Sequence, residues 1–234
     1  MEPWMAVSIG VGLVLMVGGT FLYFFVIQPK LVRARLESLG ERGYTSLAEP
    51  DEVLRRLFPI MGETEITKLT LKFGMAIEHD GVKRYLCLLR YTTRSANKTQ
   101  LAWGLVMAEA RPLALGGLCR FRRRLSPMAE RLTKVSENLI SSKFSEVTAG
   151  LESEFGERFV VSTVAGTDTP LPPAFQQALA ASAEFFPFNE LRRLPNPWMM
   201  VSDYGWAIVC RPVHDERRLK QLIETGDRLS RALR

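Results

Sequence analysis

The chain has 234 residues, of which 47% are hydrophobic and 24% charged, the ordinary balance of a globular protein and enough chain for one well-buried domain or two small ones. All 31 Lys and Arg, but only 24 of the 25 acidic residues, lie beyond an apolar amino-terminal stretch, so the remainder carries +7, which suits anionic lipid, nucleic acid or acidic protein surfaces without choosing among them. Cys87, Cys119 and Cys210 are odd in number and widely spaced, which excludes a disulfide framework, and no pair has the C-x-x-C spacing of a metal or redox site. Each lies in an apolar, strand-like context and is expected to be a buried thiol.

Met5 to Ile27 reads MAVSIGVGLVLMVGGTFLYFFVI, and no charge intervenes between Glu2 and Lys30. As a helix it is long enough for the ~30 Å hydrocarbon core of a bilayer. An uncleaved anchor is a much better reading than a cleaved signal peptide, because the start lacks positive charge, the apolar run is too long and no A-x-A-like site follows. Lys30, Arg33 and Arg35 come immediately after it. The positive-inside rule then places the amino terminus outside and the main domain in the cytoplasm, of a bacterial inner membrane if the source is bacterial. Trp4 and Tyr23 suit the two interfaces as aromatic anchors. Ser8, Gly12 and the Gly18–Gly19 pair offer a close helix–helix approach, against the plainer reading of a monomeric anchor.

Residues 1–28 are therefore read as the transmembrane anchor, 29–50 as a juxtamembrane helix and linker, and 51–234 as a soluble domain. Pro29 is expected to end or kink the membrane helix. Lys30 to Arg42 reads as a juxtamembrane helix with Leu31, Ala34, Leu36 and Leu39 among cations, and Gly40, Gly43 and Pro50 punctuate a linker. A short helix is predicted for Asp51 to Leu57, ending at Phe58-Pro59.

Leu69, Leu71, Phe73, Met75 and Ile77 begin a period-two strand pattern. Asp80-Gly81 then supplies a type I′ hairpin turn. Further strands are predicted over Val82 to Thr92, Gln100 to Ala108 and Leu118 to Arg124, together an antiparallel meander. Ser126-Pro127 caps a predicted helix over residues 127 to 142. Next come short strands at Phe144 to Val147 and Arg158 to Val164, a turn at Thr167 to Pro173 and a helix over Ala174 to Phe185. Trp198 to Ser202 and Trp206 to Arg211 flank Asp203-Tyr204-Gly205 as a second hairpin. His214 to Leu233 is the last helix, amphipathic, with Leu219, Leu222, Ile223, Gly226, Leu229 and Leu233 on one stripe. The expected fold class is α+β: one amino-terminal transmembrane helix, then a mainly antiparallel sheet with helices packed on one face.

Four segments carry a resemblance: LRRLFP (Leu54 to Pro59), LLRYTT (Leu88 to Thr93), EFGERFVVS (Glu154 to Ser162) and the Trp-initiated hairpin before the last helix. In that order, behind an apolar amino terminus, the chain resembles a loosely defined group of uncharacterised bacterial membrane-anchored proteins. The resemblance implies a shared α+β domain and no activity, and it carries over no site residue.

Catalytic patterns are weak. His79 beside Asp80 and His214 beside Asp215 each sit where surface residues belong. Glu63, Glu65, Glu78 and Asp80 cluster in sequence only. No zinc-protease, nucleophile-elbow or Walker-type motif is present, and neither a cofactor nor a metal is expected. The densest basic patch is RFRRR, where strand alternation puts Arg120, Arg122 and Arg124 on one face; with Lys30, Arg33 and Arg35 these are the candidate contacts to an anionic surface. The alternative is an exposed or edge strand guarded by charge. No aromatic-interleaved signature accompanies the patch, and nucleic acid is not expected as a partner. The aromatic set Phe185, Phe186, Phe188, Trp198 and Trp206 is read as core, or as a partner-binding patch if exposed. The expected role is non-enzymatic, a cytoplasmic domain that binds a protein or assembles with itself at the bilayer. Two alternatives stand beside it: a membrane-tethered enzyme with a site built from distant residues, and an anionic-lipid-binding domain using the basic strand.

Overall fold

The computed structural model describes residues 3–61, 66–79, 81–95, 98–113, 117–124, 126–127, 144–147, 151, 153–164, 171–184 and 198–233. The helix predicted over 127–142 (beyond its first residue), most of the turn at Thr167 to Pro173, and Glu63, Glu65, Asp80, Phe185, Phe186 and Phe188 lie outside the described residues. The rest form one antiparallel sheet of nine strands with helices, the α+β class that the patterning implies, behind an apolar amino-terminal helix.

That helix, α1 (Pro3–Leu22), runs through a π-helical turn (Tyr23–Ile27) into α2 (Gln28–Glu37). Pro29 has no N–H for the Phe25 carbonyl, and its ring crowds that oxygen. Widening the preceding turn accommodates it: the Gln28 N–H donates to Tyr23 O, five residues back. Pro29 therefore modifies the helix without ending it. A 3₁₀ turn (Ser38–Arg42) closes the segment at Gly43, which adopts φ +83°. The continuous helical run Val11–Arg42 contains an 18-residue window of mean hydropathy 2.0, none of it buried, and is long and apolar enough to cross a membrane.

Residues 29–50 are more than a linker. Val32, Leu36 and Leu39 have exposures of 0%, 0% and 3% and join the main core, whereas Leu31 faces outward. Spacing of four and three residues puts that buried trio on one helical stripe. The short strand β1 (Thr45–Ser46) and α3 (Pro50–Met61) come next. α3 continues past Pro59, beyond the boundary expected from Phe58-Pro59, and Ile60 and Met61 are fully buried at its end. Burial of two large apolar side chains, each contributing about 1.5–3 kcal/mol, offsets the roughly 3 kcal/mol of a proline inside a helix.

β2 (Ile66–His79), β3 (Val82–Ser95) and β4 (Lys98–Ala110) form the expected meander, each longer than its alternation suggested. Gly81 takes φ +73° in the first hairpin, as its turn requires. β5 (Cys119–Arg123), β6 (Phe144–Val147), α4 (Ser153–Arg158), β7 (Phe159–Val164), α5 (Pro173–Ser182), β8 (Trp198–Ser202), β9 (Gly205–Cys210) and α6 (Glu216–Ala232) complete the chain. The strand order is β1-β2-β3-β4-β9-β8-β5-β7-β6. β5 thus does not extend the meander; the β8–β9 hairpin enters between it and β4.

One face of the sheet, with Met75, Leu86, Leu88, Leu105, Met107, Phe121 and Ile208, packs against apolar residues of α2, α4, α5 and α6. Phe121, Phe155, Phe159 and Phe175 interlock there with ring centroids 5.1 to 6.3 Å apart. The opposite face, with Tyr85, Cys87, Leu89, Val106, Ala207 and Val209, is covered by Val53, Leu57, Ile60 and Met61 of α3. Among the described helices packed on the sheet, all but α3 lie on one face, and α3 adds a layer on the other side.

Gly205 opens β9 at φ +139°, and a Cβ there would overlap the Glu109 carbonyl oxygen. Both the strained backbone and the overlap oppose a side chain. Gly205→Ala should lower stability by about 2–4 kcal/mol, read as a melting temperature down by roughly 5–15 °C in a thermal scan followed by circular dichroism.

Candidate functional site: a helical mount at the domain's apolar end

The passage from α1 into the domain is secured by side chains of three segments. Gln28 donates through Nε2 to the Pro212 carbonyl at 3.0 Å, tying the start of α2 to the loop after β9. Arg35 donates through Nε to the His214 carbonyl at 3.4 Å, and its guanidinium lies 3.2 Å from Glu216 Oε2. Arg42 meets the other oxygen of Glu216 at 3.2 Å. One carboxylate at the first turn of α6 thus clasps two arginines, one from α2 and one from the 3₁₀ turn. Asp215 caps that turn by accepting the Arg218 N–H at 3.0 Å, a bond that holds its carboxyl below the usual range.

The six cations singled out from sequence separate into two places. Lys30 is exposed. Arg33 pairs with Glu37 at 2.8 Å and lies 5.3 Å from the centre of the Phe73 ring. Arg35 is engaged with α6 as described. Arg120 and Arg122 lie on β5, an interior strand between β8 and β7, which sets aside the edge-strand reading. Arg122 is only 5% exposed, while Arg120 is half-buried. Arg124 donates through Nε to the Gly156 carbonyl at 3.1 Å and reaches Glu146 at 3.6 Å. The two groups do not converge: β2 and β3, against which α2 packs, lie three or more strands away from β5.

Sequence reading missed a buried ionic group beneath α6. Glu109 on β4 is 0% exposed, with Arg84 on β3 directly across in register. The Arg84 Nε lies 3.5 Å from Glu109 Oε2, and Arg111 NH1 lies 3.8 Å from Oε1. These ionic contacts are too long for hydrogen bonds, and both carboxylate oxygens lack a hydrogen-bond partner. Arg84 also pairs directly with Asp227 of α6, and Arg111 donates to the Leu233 carbonyl. Two arginines thus hold one buried carboxylate while reaching out to α6. The trace in the sequence is alternation: Leu86 and Arg84, or Met107 and Glu109, share one face, so charges occupy core-facing positions.

His79 and His214 are both exposed, and among the described residues no group of three or more His, Cys, Asp or Glu converges as a metal site would. Trp206 is fully buried core. All three cysteines are buried free thiols; burial raises Cys87 strongly and lifts Cys119 to about 11. A thiol reagent should therefore modify none of them in the native protein at pH 8 and all three after denaturation, as counted by mass.

Tyr44 and Tyr91 are each raised to about 12, chiefly by burial, with Asp227 adding to the effect at Tyr44. Their folded-state values lie above that of a free phenol, so the folded chain binds these protons more tightly than the unfolded one. The stabilisation is complete below pH 10 and is lost as the pH climbs towards about 12. The urea midpoint should fall across that window, and Tyr44→Phe with Tyr91→Phe should flatten the fall. No family model, curated protein or solved structure matches the chain.

Proposed function

We propose that the chain is a single-pass membrane protein with its amino terminus outside, whose cytoplasmic α+β domain is an interaction or assembly module held at the bilayer surface. The observation that carries this reading is the union of α1 with the core: an unburied apolar helix continues into α2, whose Val32 and Leu36 are completely buried in the domain. A domain on a flexible tether samples many orientations, whereas one whose membrane helix shares its core presents its surface at fixed height and attitude. That arrangement suits recognition of a second copy or of a neighbouring protein in the same membrane. The cations at Lys30, Arg33 and Arg35, on the domain side of the apolar run, support the orientation.

Crosslinking the full chain in its native membrane tests the role. A reproducible crosslinked species containing a second copy or one defined membrane neighbour is expected, and a chain that crosslinks to nothing would refute the reading. A reporter fused after Arg234 should be active only in the cytoplasmic format. Activity only outside would reverse the orientation.

A further inference from the structure

The β2–β3–β4 ribbon is longer than the sheet to which it belongs. β9 pairs with β4 from Ala110 only as far as Leu105. β3 and β4 continue to pair as far as Ser95 with Lys98, and β2 accompanies them to Ile66 opposite Thr93. The seven residues of β4 before Leu105, at ~3.3–3.4 Å each, overhang the end of β9 by roughly 23 Å. On the other edge β1 pairs with β2 at Met75 and Ala76, and the Leu47 N–H just after it donates to the Gly74 carbonyl at 3.1 Å.

The direction of the overhang can be read from α2. Its first residue, Gln28, touches Pro212, just beyond the Cys210 that pairs with Leu105. Farther along, Arg33 lies over Phe73, and the Leu39 carbonyl accepts from the Tyr44 N–H, whose successor Thr45 pairs with Ala76. α2 therefore runs from the Leu105 level of the sheet towards the Gly81 hairpin. Traced backwards, the helix leaves the domain at the end where the ribbon overhangs. The apolar run ends at Ile27, so a bilayer around α1 brings its headgroup layer to that same end. A bulge between Leu71 and Phe73 breaks the register at the ribbon's base, a device that bends and twists the strand beyond it.

The overhang is cationic. It carries Lys68, Lys72, Arg90, Arg94 and Lys98, against only Glu63 and Glu65 just before β2. Lys68 and Lys72 are exposed and Arg90 is half-buried, and no ion pair with another described residue engages them. Arg33, Arg35, Arg42, Arg56 and Arg158, by contrast, are all paired to carboxylates. A cationic ribbon at the end of a domain from which an apolar helix departs matches the charge of a phospholipid surface.

We propose that this overhang lies on the anionic headgroup layer of the bilayer that α1 crosses, with Lys68, Lys72 and Arg90 meeting lipid phosphates. The proposal rests on the membrane-spanning reading and adds a second contact, which fixes the domain's rotation about the helix. The test places the full chain in lipid nanodiscs with a fluorescent donor on Ser95→Cys, the native thiols being buried, and an acceptor on the lipid headgroups. Energy transfer should be greater in discs containing phosphatidylglycerol than in phosphatidylcholine alone. The increment should vanish at high salt, and also in the variant Lys68→Gln/Lys72→Gln/Arg90→Gln. A donor on Glu78→Cys, at the far end of β2, should show no increment.

Transfer from Ser95 that ignores lipid charge overturns the proposal, as does an equal increment from Glu78. So does binding of a labelled single-stranded oligonucleotide that the triple variant abolishes while transfer stays unchanged. Salt acts on the unsubstituted ribbon, so the outcome does not depend on the variant folding. Carbonate extraction scores the anchor separately: an extractable chain refutes the spanning reading itself, and a retained chain with charge-blind transfer refutes this inference alone.

Discussion

Leu36→Ala should destabilise the domain by about 2–5 kcal/mol, although the residue lies only nine positions beyond the apolar amino-terminal run. Its side chain is fully buried with Met75, Leu86 and Leu88, so truncation leaves a cavity that the stiff sheet cannot close. A sharper version compares two shortened chains. One that begins at Gln28 keeps Val32, Leu36, Leu39 and the arginine clasp on Glu216, and should unfold cooperatively in urea. One that begins at Thr45 loses all of these and exposes an apolar strip across β2 and β3. It should aggregate, or melt without a cooperative transition. A native-like urea curve for the Thr45 chain would show that α2 merely lies on a domain already complete.

The second large effect is expected at the buried carboxylate. Glu109→Ala leaves Arg84 nearly buried, with Asp227 as its remaining carboxylate partner among the described residues, and should cost about 3–5 kcal/mol. Replacing both members of the pair, as Arg84→Met with Glu109→Leu, removes the desolvated charges together. That double variant should recover most of the loss, because the bare pair returns little beyond the cost of its own burial. The two effects should therefore be far from additive, with a coupling of at least about 1 kcal/mol in a double-mutant cycle. Additive losses would place the two side chains in separate environments, contrary to their facing register.

These two sites mark where sequence reading succeeded and where it stopped. Leu69, Leu71 and their neighbours alternate, and Gly81 and Gly205 stand at turns, so the hairpins were legible from local chemistry alone. The entry of β8 and β9 between β4 and β5 was not, because pairing of Val106 with Val209 leaves no trace in either segment. α2 was recognised as a helix, yet cations interleave its apolar positions so closely that its buried stripe of Val32, Leu36 and Leu39 could not be told from a solvated surface. The mount's partner, Glu216, is an ordinary first-turn acid until the fold brings it against Arg35 and Arg42. Glu109 was hidden differently. Its core-facing position is visible in the alternation, but only the packing of α6 shows what compensates the charge. Of the basic strand, residue type was readable and burial was not, since nothing local distinguishes an interior strand from an edge.

The insertion of β9 between β4 and β8 also orders events during biosynthesis. α1 and the β2–β4 meander leave the ribosome first, but the strand that joins them to the rest of the sheet ends at Cys210, 100 residues after Ala110. At ~5–20 residues per second, the half-built sheet waits about 5–20 s with its β4 edge open. For that interval the nascent sheet cannot close, and its exposure to mispairing is set by translation speed across residues 111–210 rather than by the stability of the finished fold.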